Sequence, residues 1–190
     1  STADSAYDKL LSAARILFYE HGINNTGIDA IVKRAGVAKK SLYNNFSSKD
    51  ELVQAYLEAR HQEWLNFYQT RVAQAVTPRA KVLAVFEAYS DHAEFAYEHG
   101  FRGCGLLNAA AEFSANAPGR QVVRRHKEQV EAILATHLSE LDGASSAHTA
   151  NLAKHFSFLL EGSISRAGLE GNSNCIAEAS TFAEQLMEAF

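Results

Sequence analysis

At 190 residues the chain is long enough to bury a proper core, and 47% hydrophobic residues with only two prolines point to an ordered, mostly helical globule. The formal net charge of −4 would disfavour a nucleic-acid partner if it were spread evenly, but residues 1–50 carry seven Lys/Arg against five acids, so a head of +2 precedes a body of −6. No apolar run approaches a membrane span, no basic-then-apolar signal pattern is present, and two distant cysteines (Cys104, Cys175) exclude a disulfide framework; a soluble cytoplasmic protein is expected.

In chain order, the first helix is expected from about Asp4 to Glu20, with Leu10, Leu11, Ala14, Leu17 and Phe18 on one face and His21-Gly22 as its stop. Thr26 then stands in N-cap position with Asp29 at capping-box spacing, and Ile28, Ile31, Val32 and Ala35 form an inward stripe. Gly36 closes that second helix through the left-handed conformation that glycine adopts without steric cost. The third helix opens at Lys39. Its inward anchors are Leu42 and Phe46, which leaves Lys39, Lys40, Ser41, Tyr43, Asn44 and Asn45 facing outward with the donors that duplex DNA requires. Residues 26–46 therefore read as a helix-turn-helix.

Ser48 and Glu51 mark a second capping box, opening a long helix to about Ala75 with Leu52, Val53, Tyr56, Leu57, Trp64, Phe67 and Tyr68 in helical register. Thr77-Pro78 starts a fifth helix carrying Val82, Val85, Phe86 and Tyr89. Phe101 to Phe113 predicts a sixth and shorter one, and Pro118 opens a seventh to about Leu141. Two apolar-striped helices, about 146–169 and 174–190, complete the chain; their stripes include Leu152, Phe156, Leu159, Leu160 and Ile164, then Ile176, Phe182, Leu186 and Phe190. Gly168, Gly171 and Asn172 separate them. No repeat and no period-2 strand stands out, so the expected fold is all-α with about nine helices.

The combination Ala35-Gly36-Val37 followed by Leu42-Tyr43-Asn44-Asn45-Phe46-Ser47-Ser48-Lys49 resembles the TetR family of transcriptional regulators, over residues 10–57. The resemblance implies a three-helix DNA-binding head, set at residues 1–48, and a ligand-binding and dimerisation domain at residues 49–190. It further implies that Lys39 and Lys40 meet base edges or the flanking backbone in the major groove. Ser41, Tyr43 and Lys49 would hold phosphates, Asn44 a base or a phosphate, and Thr26 a phosphate through its hydroxyl and the nearby helix N-terminus. Gly27 and Asp29 depart from the family pattern, standing where a second hydroxyl and a basic residue are common.

In the body, Cys104, Asn108 and Glu112 lie at i, i+4 and i+8 and are expected on one helix face. This Gly-Cys-x-x-x-Asn-x-x-x-Glu segment resembles one in TetR-like regulators that include electrophile-responsive repressors, which opens a cysteine-based sensor through Cys104 as an alternative to a small-molecule effector site. Equally, Cys104 fits a small core residue. The effector site is expected among Trp64, Tyr68, Tyr89, His92, Phe101, Cys104, Asn108, Glu112 and Phe158, since ligand pockets combine apolar walls with a few polar groups. His92 and His99 lack a third spaced ligand, so neither metal nor cofactor is expected. The last two helices are the expected homodimer surface, through Phe156, Leu160, Ile164, Phe182 and Leu186 with small residues between them.

The composite expectation is a homodimeric regulator, a repressor by family habit, that binds a palindromic operator and is released by a small-molecule inducer, with double-stranded DNA as partner and no membrane. The fourth helix, reaching from the head to the effector site, would carry the signal. Two other classes compete with this. An all-helical enzyme would use Cys104 with His99 and Glu112 but lacks a nucleophile-base-orienter signature, so no enzyme is expected; a helical ligand carrier would have a head that no longer binds DNA.

Overall fold

Apolar stripes at helical spacing, capped by Ser, Thr, Pro and Gly at the ends, produce nine α-helices among the described residues, 3–189, of a computed structural model. They are α1 (Ala6–His21), α2 (Ile28–Ala35), α3 (Lys39–Asn45), α4 (Lys49–Val72), α5 (Pro78–Ala93), α6 (Gly105–Glu112), α7 (Pro118–Leu138), α8 (Ser146–Glu170) and α9 (Asn174–Glu188). No strand occurs among the described residues. Phe190, assigned above to the last stripe, lies outside them.

Local chemistry accounts for most of the boundaries. Ser5 caps α1 by accepting from the Asp8 N–H at 3.1 Å, and Thr77 caps α5 by accepting from Ala80 N–H at 3.1 Å, with Pro78 in its first turn. Gly36 takes the left-handed conformation (φ 69°, ψ 32°) at the end of α2. Its N–H reaches the Lys33 carbonyl at 3.3 Å and the Val37 N–H reaches Val32 at 3.2 Å, a Schellman closure. Gly171 (φ 76°) ends α8 in the same region of backbone space. The helix expected over Phe101–Phe113 begins only at Gly105, because Gly103 just before it holds φ 103°, outside the helical range.

The chain forms two compact units. One comprises Ser1–His61, Tyr97–His99 and Gly105–Val123; the other comprises Gln62–Ala96, Gly100–Cys104 and Arg124–Phe190. The division between the two units falls at 61/62, within α4. The helix-turn-helix unit also recruits α6, since the first half of α4 and α6 complete a core that three short helices cannot close alone. In that core Leu10, Ala14, Ile31, Leu42 and Leu52 are fully buried, Phe18 meets Tyr56 edge-on at 5.4 Å, and Tyr7 stacks on Phe46 at 4.8 Å.

In the second unit α5, α8 and α9 pack together around Val82, Val85, Phe86, Phe156, Leu160, Ile176 and Ala183, with Phe86 and Phe156 edge-to-face at 5.9 Å. Leu134 and Leu138 of α7 are also fully buried. Gly168 is interior to α8 rather than a separator: a Cβ there would come within 2.6 Å of the Gly103 Cα. Because Gly36 alone sets the reversal between α2 and α3, Gly36→Ala should lower stability by about 1–2 kcal/mol through left-handed strain, read as a reduced urea midpoint at unchanged slope.

Candidate nucleic-acid interface and effector cluster

Leu42 and Phe46, 0% and 1% exposed, pin α3 to the core and so decide which residues it shows to solvent. Lys39, Lys40, Tyr43 and Asn44 are exposed, and Ser41 is half-buried at the edge. Asn45, expected to face outward, turns back and donates its Nδ2–H to the Ser41 carbonyl at 2.8 Å. Lys39 pairs with Asp29 of α2 at 3.2 Å, with both side chains mostly exposed. An exposed pair of this kind contributes at most about 1 kcal/mol, so a phosphate can displace the carboxylate.

Two of the expected DNA ligands make internal hydrogen bonds. Thr26 is 3% exposed and donates its hydroxyl inward, to Gly22 O at 2.7 Å with a longer approach to Leu17 O at 3.2 Å. It neither caps α2, whose N-cap is Gly27 without a side-chain bond, nor presents a hydroxyl to DNA. Lys49 is half-buried and donates from Nζ to the Ile23 carbonyl at 2.9 Å, so it braces the α1–α2 turn. The box expected at Ser48 and Glu51 is also redistributed: Ser48 Oγ accepts from Glu51 N–H at 3.2 Å, while the Glu51 carboxylate accepts from Ser47 N–H at 3.1 Å.

Glu112 changes role most. Expected in an effector site, it lies at the end of α6 in the first unit, where its two carboxylate oxygens accept from the backbone N–H groups of Ile23 at 2.8 Å and Asn24 at 2.9 Å. Asn108 is on the same helix, half-buried. Cys104 precedes α6, so the shared face proposed for the three residues holds only for Asn108 and Glu112. Sequence patterns offered no signal for a contact across 89 positions. The same unit holds a second latch: Arg34 of α2 grips Glu98 with both guanidinium nitrogens, one bond being 3.1 Å, while His99 contacts Glu20. The Arg34 hydrogen bond holds the Glu98 carboxyl below its ordinary range. Glu20, Glu98 and His99 thus bring three ligand-type atoms within 4.8 Å of one another, which the spacing of histidines did not reveal.

In the second unit Trp64 stacks on Tyr68 at 5.4 Å and meets Tyr89 edge-on at 5.7 Å. Tyr89 donates to Glu161 Oε1 at 2.7 Å, Lys127 pairs with Glu161 at 2.9 Å and donates to Cys104 Sγ at 3.4 Å, and its ammonium lies 5.4 Å from the Tyr89 ring centre. Burial followed by the Glu161 charge pushes the Tyr89 phenol well up. Burial opposes the Lys127 charge, yet Cys104, Glu161 and Tyr89 together raise its pKa well above the ordinary value. The group is a neutral phenol beside a charged ammonium and its carboxylate. Lys127 stands next to the exposed Arg124 and Arg125 on α7, and its partners Tyr89 and Glu161 come from α5 and α8. His92 pairs with Glu63 at 2.9 Å, and Phe101 is half-buried.

Phe158, expected in the effector site, is 67% exposed on α8. Conversely Phe156, Leu160 and Ile164, expected at a dimer surface, are at most 4% exposed and form the core of the unit. Of the expected interface, Phe182 and Leu186 are exposed, at 50% and 43%. Together with Phe158, Leu159, Gly162 and Arg166, Phe182 lines a groove of about 500 Å³ between α8 and α9.

Residues 10–56, which contain this α1–α3 arrangement, match the family model described as bacterial regulatory proteins, tetR family. A TetR-family transcriptional regulator from Streptomyces coelicolor superposes with a TM-score of 0.83 at 26% identity, covering 96% of this chain and 93% of that one. Residues 10–56 thus carry the tetR-family pattern, and the described chain shares the fold of tetR-type regulators. A second tetR-type structure, from Streptomyces avermitilis, covers 97% of this chain and 99% of that one at 28% identity and a TM-score of 0.78. Curated relatives from Mycolicibacterium smegmatis are the transcriptional activator FasR, 34% identical over 55% of this chain, and the transcriptional repressor KstR2, 30% identical over 66%. The chain spans 46% and 60% of their lengths. No described helix is long and apolar enough to cross a membrane.

Tyr68 OH lies 2.5 Å from His137 Nε2, and burial holds the His137 imidazole below its ordinary value, with Lys81 adding to the effect and Glu140 opposing it. An unfolded chain protonates this histidine near pH 6.5, whereas the folded site resists the proton. Its contribution is therefore complete above about pH 6.5 and is lost as pH falls toward the folded value. His137→Gln should flatten the decline in melting temperature as pH falls below about 6.5, measured by circular dichroism.

Proposed function

We propose that this chain is a tetR-family transcriptional regulator that binds a palindromic operator as a homodimer, represses from it, and is released when a small-molecule effector binds the second unit. The observation that carries DNA binding is the outward set Lys39, Lys40, Tyr43 and Asn44 on a helix fixed by buried Leu42 and Phe46. Lys39 and Lys40 enter the major groove, Ser41 and Tyr43 hold phosphates, and Asn44 reaches a base or a phosphate. FasR is a transcriptional activator and KstR2 a transcriptional repressor, and this chain takes the repressing mode, in which an occupied operator excludes other proteins from the promoter. The effector site is drawn around Trp64, Tyr68, Tyr89, His92, Phe101 and Cys104, with Lys127 and Glu161 as the polar pair the effector engages. The effector must favour the non-DNA conformation, since equal affinity for both would shift nothing, and α4, with residues in both units, carries the signal. Such a protein acts in the cytoplasm.

A second reading is favoured by the Lys127–Cys104 contact, which puts a cation on the sulfur and makes Cys104 a candidate trigger for electrophiles. Operator release by wild type and Cys104→Ser under the same electrophile separates the two. A response confined to wild type supports the thiol trigger, and equal responses leave Cys104 a structural residue.

Lys40→Ala should weaken operator affinity and relax base preference by about 1–3 kcal/mol, while Tyr43→Phe should weaken specific and nonspecific duplexes alike. Mobility shifts across a salt series check this, because phosphate contacts make affinity fall steeply with salt. Unchanged affinity in both variants rejects the docking mode.

The dimer surface is assigned to Phe158, Phe182, Leu186 and the groove they border, replacing Phe156, Leu160 and Ile164. Two heads centred about 34–36 Å apart are needed to match half-sites one helical turn apart. Phe158→Glu with Phe182→Glu should give a folded monomer by sedimentation that has lost operator binding. Leu160→Ala should instead cost about 2–5 kcal/mol in folding stability. A dimeric double mutant sinks the assignment.

A further inference from the structure

A carboxylate sits among the donors of the surface that carries Lys39, Lys40 and Tyr43. Asp29 lies in the first turn of α2 with its side chain 87% exposed, and its Oδ1 is 3.2 Å from the ammonium of Lys39, the first residue of α3. Both helices belong to the first unit, and the Gly36 closure between them sets which of their residues meet. An acid on a surface that approaches a polyanion is unfavourable, because it repels the phosphates that supply sequence-independent affinity. Folding gives little reason for it here. An exposed ion pair and an exposed acid in the first turn of a helix each stabilise only weakly.

The pairing changes what Lys39 offers to a duplex. A lone ammonium attracts phosphate by charge, whatever the sequence. Beside Asp29 the two charges largely cancel toward a distant anion, and a phosphate that takes Lys39 must displace the carboxylate or lie next to it. A base edge meets neither obstacle, since guanine O6 and N7 are neutral acceptors. A lysine ammonium has three N–H donors, so Lys39 can keep one on Asp29 and turn the others to guanine.

We propose that Asp29 is a specificity-determining residue, which makes Lys39 a reader of a guanine edge by weakening its attraction to phosphates. The inference rests on the reading that α3 enters the major groove, and it assigns Lys39 to a base rather than to the flanking backbone. Asp29 acts through Lys39 and is a positioning residue. Its effect falls mainly on wrong sequences, where phosphate contacts are all that the head can make. Nonspecific duplex greatly outnumbers operator in a genome, so weakening that competition raises operator occupancy even if the operator itself is bound no more tightly.

Mobility shifts of the full chain over a salt series test this on two probes: poly(dA-dT), which has no guanine, and short duplexes that wild type selects from a random pool. Asp29→Asn keeps the shape and removes the charge. It should bind poly(dA-dT) roughly three- to ten-fold tighter, with a salt dependence steeper by about one phosphate. Its affinity for the selected duplexes should rise less, so the ratio between the two probes falls. In a Lys39→Gln background the same substitution should leave that ratio nearly unchanged, because the effect runs through Lys39. A general loss of negative charge would instead raise both affinities alike in either background. Equal gains on the two probes, or wild-type affinity and salt dependence on poly(dA-dT), overturn the inference and leave the DNA-binding reading standing. Failure of wild type to bind either probe removes that reading, and this inference with it.

Discussion

The geometry of the helix-turn-helix depends on how one carboxylate is used. Glu112 accepts from two consecutive backbone N–H groups, those of Ile23 and Asn24, in the turn that leads from α1 into α2. A turn of this kind has few intrinsic constraints, and charge-assisted bonds to its amides are among the stronger ones available. Lys49 holds the Ile23 carbonyl from another side, and Thr26 ties the far end of the turn back to Gly22 and Leu17. Gly22, at φ 87°, makes room for the carboxylate: a Cβ there would lie 3.3 Å from both Glu112 oxygens. The direction of α2, and through the Gly36 closure that of α3, follows from this turn.

Helix order was legible in the sequence because its determinants are local. Thr77-Pro78, Gly36 and Gly171 act within one turn of their own position, and each marks the end expected of it. The recognition helix was legible for a related reason, since Leu42 and Phe46 must be buried and the remaining residues of so short a helix must then face out. Assignments that needed a partner distant in the chain failed. Glu112, whose carboxylate goes to the Ile23 and Asn24 amides, is such a case; Thr26 failed on a local ambiguity instead, its hydroxyl donating back to Gly22 and Leu17 rather than capping α2.

The same limit explains α8. Phe156, Leu160, Ile164 and Ala167 form one stripe, and Phe158 with Leu159 and Gly162 lies on another side of the helix. Periodicity shows that both sides are apolar but not which is covered by α5 and α9 of the same chain. Lys127 is the polar counterpart. Nothing within its helix distinguishes it from the exposed Arg124 and Arg125, and only the arrival of Tyr89, Glu161 and Cys104 makes it an interior charge.

The contact between Gly103 and Gly168 sets a different kind of constraint. Contacts between side chains tolerate displacement, because a rotamer change absorbs an ångström at small cost. Here the approach is main chain to main chain, and nothing between the two strands of backbone can fold away. Cys104 is covalently next to Gly103, so the position of its Cα relative to α8 is set by this backbone contact, and only χ1 is left to place its sulfur. The Cys104 thiol is thus attached to a closely packed backbone, and a shift of the segment before α6 along α8 would carry its Cα with it.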